Sequence, residues 1–267
     1  MRGLVWLAVV ALAACGRAEP PIVLATTTSV GNSGLLDRLL PQYGEVVRPV
    51  LVGSGRAIEM LAGGTADVVI SHAPEREAAA LGEHPDWWYR KVLFNDFLIV
   101  GPRHDPSGVR NAQDAVDAMR RIAAGHTTFL SRGDESGTHE RERALWREAG
   151  VQPDGERLVV AGAGMGQTLR IASGTGAYTL TDRGTFEALR QSVDLEILHE
   201  GDERLLNTYA VLADPRRTRG ERFARWLAEG DGQAVLRALA TGEAVRGFSI
   251  WPDGADRNRP DATPRPR

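Results

Sequence analysis

The 267-residue sequence contains a single cysteine, Cys15. With no second cysteine the folded domain has no internal disulfide. Charge of one sign is also scarce, since the formal net charge is −3. No basic footprint for nucleic acid is visible, and none is expected as a partner. If the protein binds an anion, local geometry must do it and not a global field. Beyond the N-terminus no run is apolar enough to cross a membrane. No internal repeat at solenoid spacing is present. The length suits one large domain or two lobes of ordinary size.

The N-terminus differs from the rest. Arg2 supplies a positive start, and Leu4 to Ala14 form an apolar run too short for a permanent span. The run ends in Leu12-Ala13-Ala14-Cys15-Gly16. Small residues before a lone cysteine resemble the lipobox of bacterial lipoproteins. The resemblance implies that residues 1–14 are a lipoprotein signal peptide and that a lipid is attached to Cys15 after cleavage. An ordinary cleaved signal with an incidental cysteine is the alternative. In both cases the protein is expected outside the cytoplasm, and in the first it is anchored to a bacterial membrane. ATP is scarce there, which speaks against kinase-like chemistry.

The body of the chain alternates strand and helix. Ile22 to Ala25, Val46 to Val52 (interrupted by Pro49) and Asp67 to Ser71 read as strands, with helices at Leu35–Leu40 and Arg56–Ala62 between them. That order predicts a parallel sheet covered on both faces. A strand at Leu93–Gly101 and a helix at Asn111–Ala124 follow. Further strands are expected near Thr127–Leu130, Leu158–Val160, Ala177–Thr181 and Asn207–Leu212. Asp182 is placed to cap a helix from Arg183. The last two helices span about Arg219–Ala228 and Gly232–Ala240. We expect an α/β protein of two lobes: residues 22–102 with 207–252, and residues 103–206. Strands near Val100 and Tyr209 would form the hinge. Residues 253–267, rich in Pro, Asp and Arg, are expected to be disordered.

Four turns after strands share one chemistry. Thr26-Thr27-Thr28-Ser29 offers hydroxyls. Gly53-Ser54-Gly55 offers a hydroxyl between glycines, where backbone N–H groups can approach a ligand. Ser131 to Thr138 offers Arg132, Ser136 and Thr138, with Gly137 between the hydroxyls. Gly164 to Thr168, including Gly166, offers bare N–H groups at a helix start. Singly, each Ser or Thr reads as an N-cap and each glycine as a turn residue. Two such turns in each lobe would together surround a small tetrahedral dianion with N–H and O–H donors. Arg132 adds a forked, permanently charged donor, or else forms a structural ion pair with Asp134, Glu135 or Asp182. Arg183 is the weaker candidate. His139 reads as locally packed, Trp87-Trp88-Tyr89 as core, and Asn95-Asp96 as hinge hydrogen-bonding groups.

Several segments resemble the tungstate-binding proteins of bacterial ABC uptake systems. They are Thr26–Ser29, Gly53–Gly55, Ala66–Val68, His72-Ala73-Pro74, Asn95–Phe97, Ile99–Pro102, Ser131–His139, Leu145-Trp146, Gly164–Gly166 and Tyr178–Gly184. The resemblance runs in order from Ile22 to about Leu212. It implies the type II periplasmic binding protein fold, with two parallel or mixed sheets joined by a two-strand hinge. It also implies tungstate as ligand, delivery to a permease driven by a separate ATPase, no cofactor and a monomer. Carried over by position, Thr27, Thr28, Ser29 and Ser54 would be donors of the first lobe. Arg132, Ser136, Gly137, Thr138, Gly166 and Thr168 would be donors of the second. The family pattern often has threonine where this chain has Ser54; the hydroxyl is retained.

Binding of molybdate, phosphate or sulfate is the nearest alternative. Phosphate at neutral pH can carry a proton and needs an acceptor, whereas tungstate needs donors only. An Asp134 or Glu135 facing the ligand would favour phosphate. Carboxylates turned away to pair with Arg132 or cap a helix would favour tungstate. A secreted serine hydrolase built on Ser136 and His139 is a remote alternative, because the chain has no Gly-x-Ser-x-Gly elbow.

Overall fold

The computed structural model describes residues 19–151, 153, 155–241 and 247–264. The expected signal peptide, residues 1–14, and Cys15 lie outside the described residues.

Strand β1 (Ile22–Thr26) is the middle of a parallel trio with β2 (Val47–Leu51) and β3 (Val68–Ser71). β1 is followed by α1 (Thr28–Asn32) and α2 (Leu35–Leu39), β2 by α3 (Ser54–Ala62) and β3 by α4 (Pro74–Glu83). The expected helix over the leucines is preceded by a separate short one, broken at Gly34, whose φ of 76° is left-handed. Pro49 is tolerated because β2 pairs only with β1 and lies at the sheet edge.

Strand β4 (Trp88–Gly101) is 14 residues long and serves both lobes. After it come α5 (Ala115–Ala124), β5 (Phe129–Ser131), α6 (Gly137–Ala149), β6 (Leu158–Val160), α7 (Met165–Thr175), β7 (Thr179–Asp182), α8 (Arg183–Leu189) and β8 (Glu196–His199). The chain returns through β9 (Leu206–Ala213) and ends in α9 (Thr218–Glu229), α10 (Asp231–Thr241) and β10 (Ser249–Ile250). The first sheet runs β10-β4-β9-β3-β1-β2, with β9 antiparallel to both β3 and β4. In the second lobe β7 and β8 flank the far end of β4, and β5 pairs with β6 in parallel. Two hydrogen bonds through Tyr178 join β5 to the start of β7.

Alternation along the strands divides each lobe's apolar residues between two faces. Leu24, Val68, Ile70, Tyr209 and Val211 enter one cluster of the first lobe, and Ala25, Val69, Ala210 and Leu212 the opposite one. Phe97 and Ile99 enter one cluster of the second lobe, and Leu98 and Val100 the other. Trp87, Trp88 and Tyr89 are core residues, as expected. The crossing between cores falls between Leu93 and Phe97, earlier than the expected Pro102. The reason is continuity: β4 runs unbroken through both lobes, paired with β9 up to Asp96 and with β7 from Phe97, and Asn95 lies opposite Asn207 at the crossing.

A buried ion pair secures α4 to the hinge strands. Lys91 Nζ lies 3.4 Å from Glu77 Oε2 and donates to Thr208 Oγ1 at 2.6 Å. The Tyr89 hydroxyl donates to Glu77 at 2.8 Å. Burial lowers the Lys91 pKa from its ordinary value.

The expectation of a disordered tail is corrected. Residues 253–264 pack along the outer edge of β4. Lys91 N–H donates to Arg257 O at 2.8 Å, and Trp251 N–H to Val92 O at 3.1 Å. Trp251 is fully buried with Ala255 and Ala262 and meets Phe94 edge-on. The composition suggested disorder, yet three well-spaced apolar residues suffice where a strand edge needs its backbone groups paired. Trp251→Ala is expected to cost about 3 kcal/mol. Urea unfolding would read this loss, and Trp251→Phe should restore most of it.

Candidate oxyanion-binding site

The first-lobe wall forms where strands end. β1 stops at Thr26, and Thr27 caps α1, its hydroxyl accepting from Val30 N–H at 3.4 Å. The Thr27 and Ser29 hydroxyls are 2.9 Å apart. Gly53 caps α3, and Ser54 is the first residue of that helix. The second-lobe wall is the turn from β5 into α6. Gly133 and Glu135 both have left-handed φ there, 58° and 56°. This fold of the backbone turns Arg132 and Asp134 toward one another. Arg132 Nε donates to Ala163 O at 2.9 Å, and its Nη2 pairs with an Asp134 oxygen. The other Asp134 oxygen accepts from Ser136 N–H at 3.2 Å. Arg132 N–H donates to Glu142 Oε2 at 3.2 Å.

These turns meet across a cavity of about 140 Å³ between the lobes. Thr27, Thr28, Ser29, Val52, Gly53 and His72 line it from the first lobe. Arg132, Asp134, Ser136, Gly162, Ala163 and Gly164 line it from the second. A water occupies about 30 Å³ of liquid, so a tetrahedral oxyanion fits. Gly164 caps α7, whose first N–H groups have no intrahelical acceptor. A larger cavity, about 600 Å³, lies beside Asp96, Arg183 and Phe248. It is mostly apolar and its Arg183 is already paired, so it suits an anion less well.

Five of the expected site residues, Thr27, Thr28, Ser29, Arg132 and Ser136, come together on the cavity wall. The other five take different places. Ser54 is fully buried and its hydroxyl accepts from His72 N–H at 3.3 Å, so it braces the end of β3. The Thr168 hydroxyl turns back on its own helix, donating to Gly164 O at 3.2 Å. Gly166 packs toward Asn32 and Leu189. The Thr138 hydroxyl is buried without a hydrogen-bond partner among the described residues. Gly137 is where the lobes touch: a Cβ there would stand 2.6 Å from His72 O.

Arg183 pairs with Asp96 and Glu200, away from the cavity. Asp182 caps α8 as expected, accepting from Thr185 N–H at 2.8 Å. Glu135 is exposed and lies 3.9 Å from Arg76 of α4. Both Asp134 oxygens are engaged by protein donors. Asp134 pairs with Arg132 but still lines the cavity, so its engaged oxygens are weakened as proton acceptors without being turned away. Ser136 and His139 do not form a nucleophile and base. Ser136 Oγ accepts from His139 N–H at 3.3 Å, and the imidazole Nδ1 lies 3.1 Å from Glu135 N as its acceptor.

Val52, Gly162, Ala163 and His72 line the cavity without having been assigned to the site, and His72 is the one with a polar side chain. Its signal was available, since it too follows the end of a parallel strand. Burial pushes its imidazole down to about 4, so it is neutral near pH 7. Burial also raises the Glu142 carboxyl, to about 7.

The chain is similar to known proteins over most of its length. The PBP superfamily domain matches residues 15–231. The tungstate-binding protein TupA of Peptoclostridium acidaminophilum is 38% identical over 82% of this chain and 82% of its own length. The structure of the tungstate ABC transporter protein from Geobacter sulfurreducens superposes with a TM-score of 0.73 at 36% identity, over 83% of this chain and 100% of that one. The tungstate-binding protein TupA from Desulfovibrio alaskensis G20 gives 0.70 at 33% identity, over 87% and 99%. With a shared fold, matching length and this level of identity, the chain belongs to the PBP superfamily and, within it, to the family of the TupA tungstate-binding proteins.

Proposed function

We propose that this protein is an extracytoplasmic solute-binding protein that captures tungstate between its lobes and delivers it to the permease of an ABC transporter, driven by a separate ATPase. The observation that carries the reading is the donor-lined cavity at the lobe interface, in which both oxygens of the neighbouring Asp134 are already engaged. The names of its relatives supply the choice of tungstate. Thr27, Thr28, Ser29, Arg132 and Ser136, with the N–H groups opening α7, are the proposed ligand donors. A lipid on Cys15, a monomeric state and the absence of catalysis belong to the same proposal. No helix among the described residues is long and apolar enough to cross a membrane. Molybdate has the same charge and nearly the same shape, so its exclusion must be measured.

Calorimetric titration with tungstate, molybdate, sulfate and phosphate in separate runs tests the assignment. Tight tungstate binding with silent phosphate and sulfate is expected. Tight phosphate with weak tungstate would refute it. Arg132→Ala removes a charged donor and leaves Asp134 uncompensated beside the anion. It should weaken tungstate binding at least about a hundredfold without unfolding the protein. Unchanged affinity would remove Arg132 from the site.

Gly137→Ala tests closure separately. Its methyl would meet the His72 carbonyl of the opposite lobe. The lobes should stay apart, seen as a larger radius of gyration with tungstate present, and affinity should fall while the melting temperature of the unliganded protein hardly changes.

A further inference from the structure

His72 lines the cavity beside hydroxyl, guanidinium and backbone donors and the Asp134 carboxylate, whose two oxygens are engaged by Arg132 and Ser136 N–H. Asn207 uses both amide hydrogens, on Asn95 Oδ1 at 2.8 Å and on the Tyr209 hydroxyl at 2.8 Å. Its own Oδ1 is therefore an acceptor, and the 3.0 Å contact with His72 is donation from Nδ1–H. This fixes the tautomer. Nε2 carries the lone pair and has no hydrogen-bond partner among the described residues. The ring cannot readily turn away. It stacks on Tyr209 with centroids 5.0 Å apart, and Cε1 would lie only 2.8 Å from a Cβ at Gly137.

A fully deprotonated oxyanion presents only acceptors. Against the lone pair of a neutral His72 it meets repulsion. With a proton on Nε2 it gains a charge-assisted hydrogen bond. We propose that His72 is a proton-coupled ligand-binding residue, which takes one proton from solvent onto Nε2 when a fully deprotonated oxyanion enters the cavity. This rests on reading the cavity as an oxyanion site. The only bond formed is Nε2–H, and the buffer supplies the proton.

The groups around the ring set the balance. Arg132 opposes the proton, while Asp134 from the same turn and Glu77 from α4 favour it. Asn207 and Tyr209 of β9, Phe97 of β4 and Gly137 of α6 are neutral. With the lobes together and no anion in the cavity, burial dominates and the ring is neutral. An arriving dianion adds negative charge beside it and raises its pKa above the unliganded value. The resulting gain in affinity is complete below the unliganded pKa and disappears as pH rises through the liganded one. A monohydrogen oxyanion would instead bring its own proton, donate it to Nε2, and require no uptake.

The test is calorimetric titration of tungstate into the purified protein at about pH 6.5, repeated in buffers of different ionisation enthalpy. We expect a buffer-dependent heat corresponding to uptake of a large fraction of one proton. It should be lost in His72→Gln and kept in His139→Gln. It should also be kept in Glu142→Gln, which controls for the carboxyl behind Arg132. Tight binding with a buffer-independent heat, or uptake that survives His72→Gln, overturns the inference. Absence of any tungstate binding by the unmodified protein overturns the oxyanion site and this inference with it. If His72→Gln does not fold, the His72 Cε1–H resonance of the unmodified protein, titrated with and without tungstate, decides. A pKa raised by the ligand supports the proposal, and an unchanged one defeats it.

Discussion

The antiparallel ladder between β4 and β9 is the constraint on which the rest of the molecule depends. β4 enters the cores of both lobes, and the register of its ladder with β9 fixes Asn95 opposite Asn207 at the crossing. From that pair a chain of hydrogen bonds reaches the cavity through His72. The same ladder holds the Lys91–Glu77 pair beneath α4, whose Arg76 meets Glu140 of α6 across the cleft. The geometry of closure is therefore set by backbone pairing, and the side chains at the cleft only bias it.

The site also shows how a binding protein can keep an arginine ready. A buried guanidinium without a partner would be expensive. Here Asp134 and the Ala163 carbonyl hold it, so Arg132 is oriented before any ligand arrives. The carboxylate lowers the net positive charge of the pocket, which reduces Coulombic attraction for every anion alike. In exchange, both carboxylate oxygens are engaged, so a ligand that must donate a proton finds a weakened acceptor there and meets its better one at His72. Shape and hydrogen-bond polarity then discriminate more than charge does.

Much of this was legible in the sequence because the four turns obey a positional rule. Each lies at the C-terminal end of a strand, where helix N-termini converge. Thr27, Ser29, Arg132 and Ser136 follow from that rule. What residue type cannot reveal is the direction of a hydroxyl. Ser54 and Thr168 have the right chemistry, but one braces a neighbouring strand and the other bonds its own helix. His72 obeys the same rule, yet a histidine says nothing about its tautomer until Asn207 is seen beside it. The length of β4 and the order of the tail were hidden for a different reason. Both depend on long-range edge pairing, which leaves little periodic trace in a window of a dozen residues.

The strap formed by residues 251–264 has a consequence for the order in which the chain matures. The second lobe draws its core from a continuous stretch, Phe97 to Leu205. The first lobe needs β9, two late helices and the last dozen residues to seal the edge of β4. During synthesis or export the second lobe can condense while the remainder is still emerging. The hinge ladder can form once β9 is present, and the outer edge of β4 is covered when residues 251–264 have followed. The hinge is thus paired before its outer edge is covered, and for that interval the Lys91 and Val92 backbone groups that the strap later engages stand open at the side of β4.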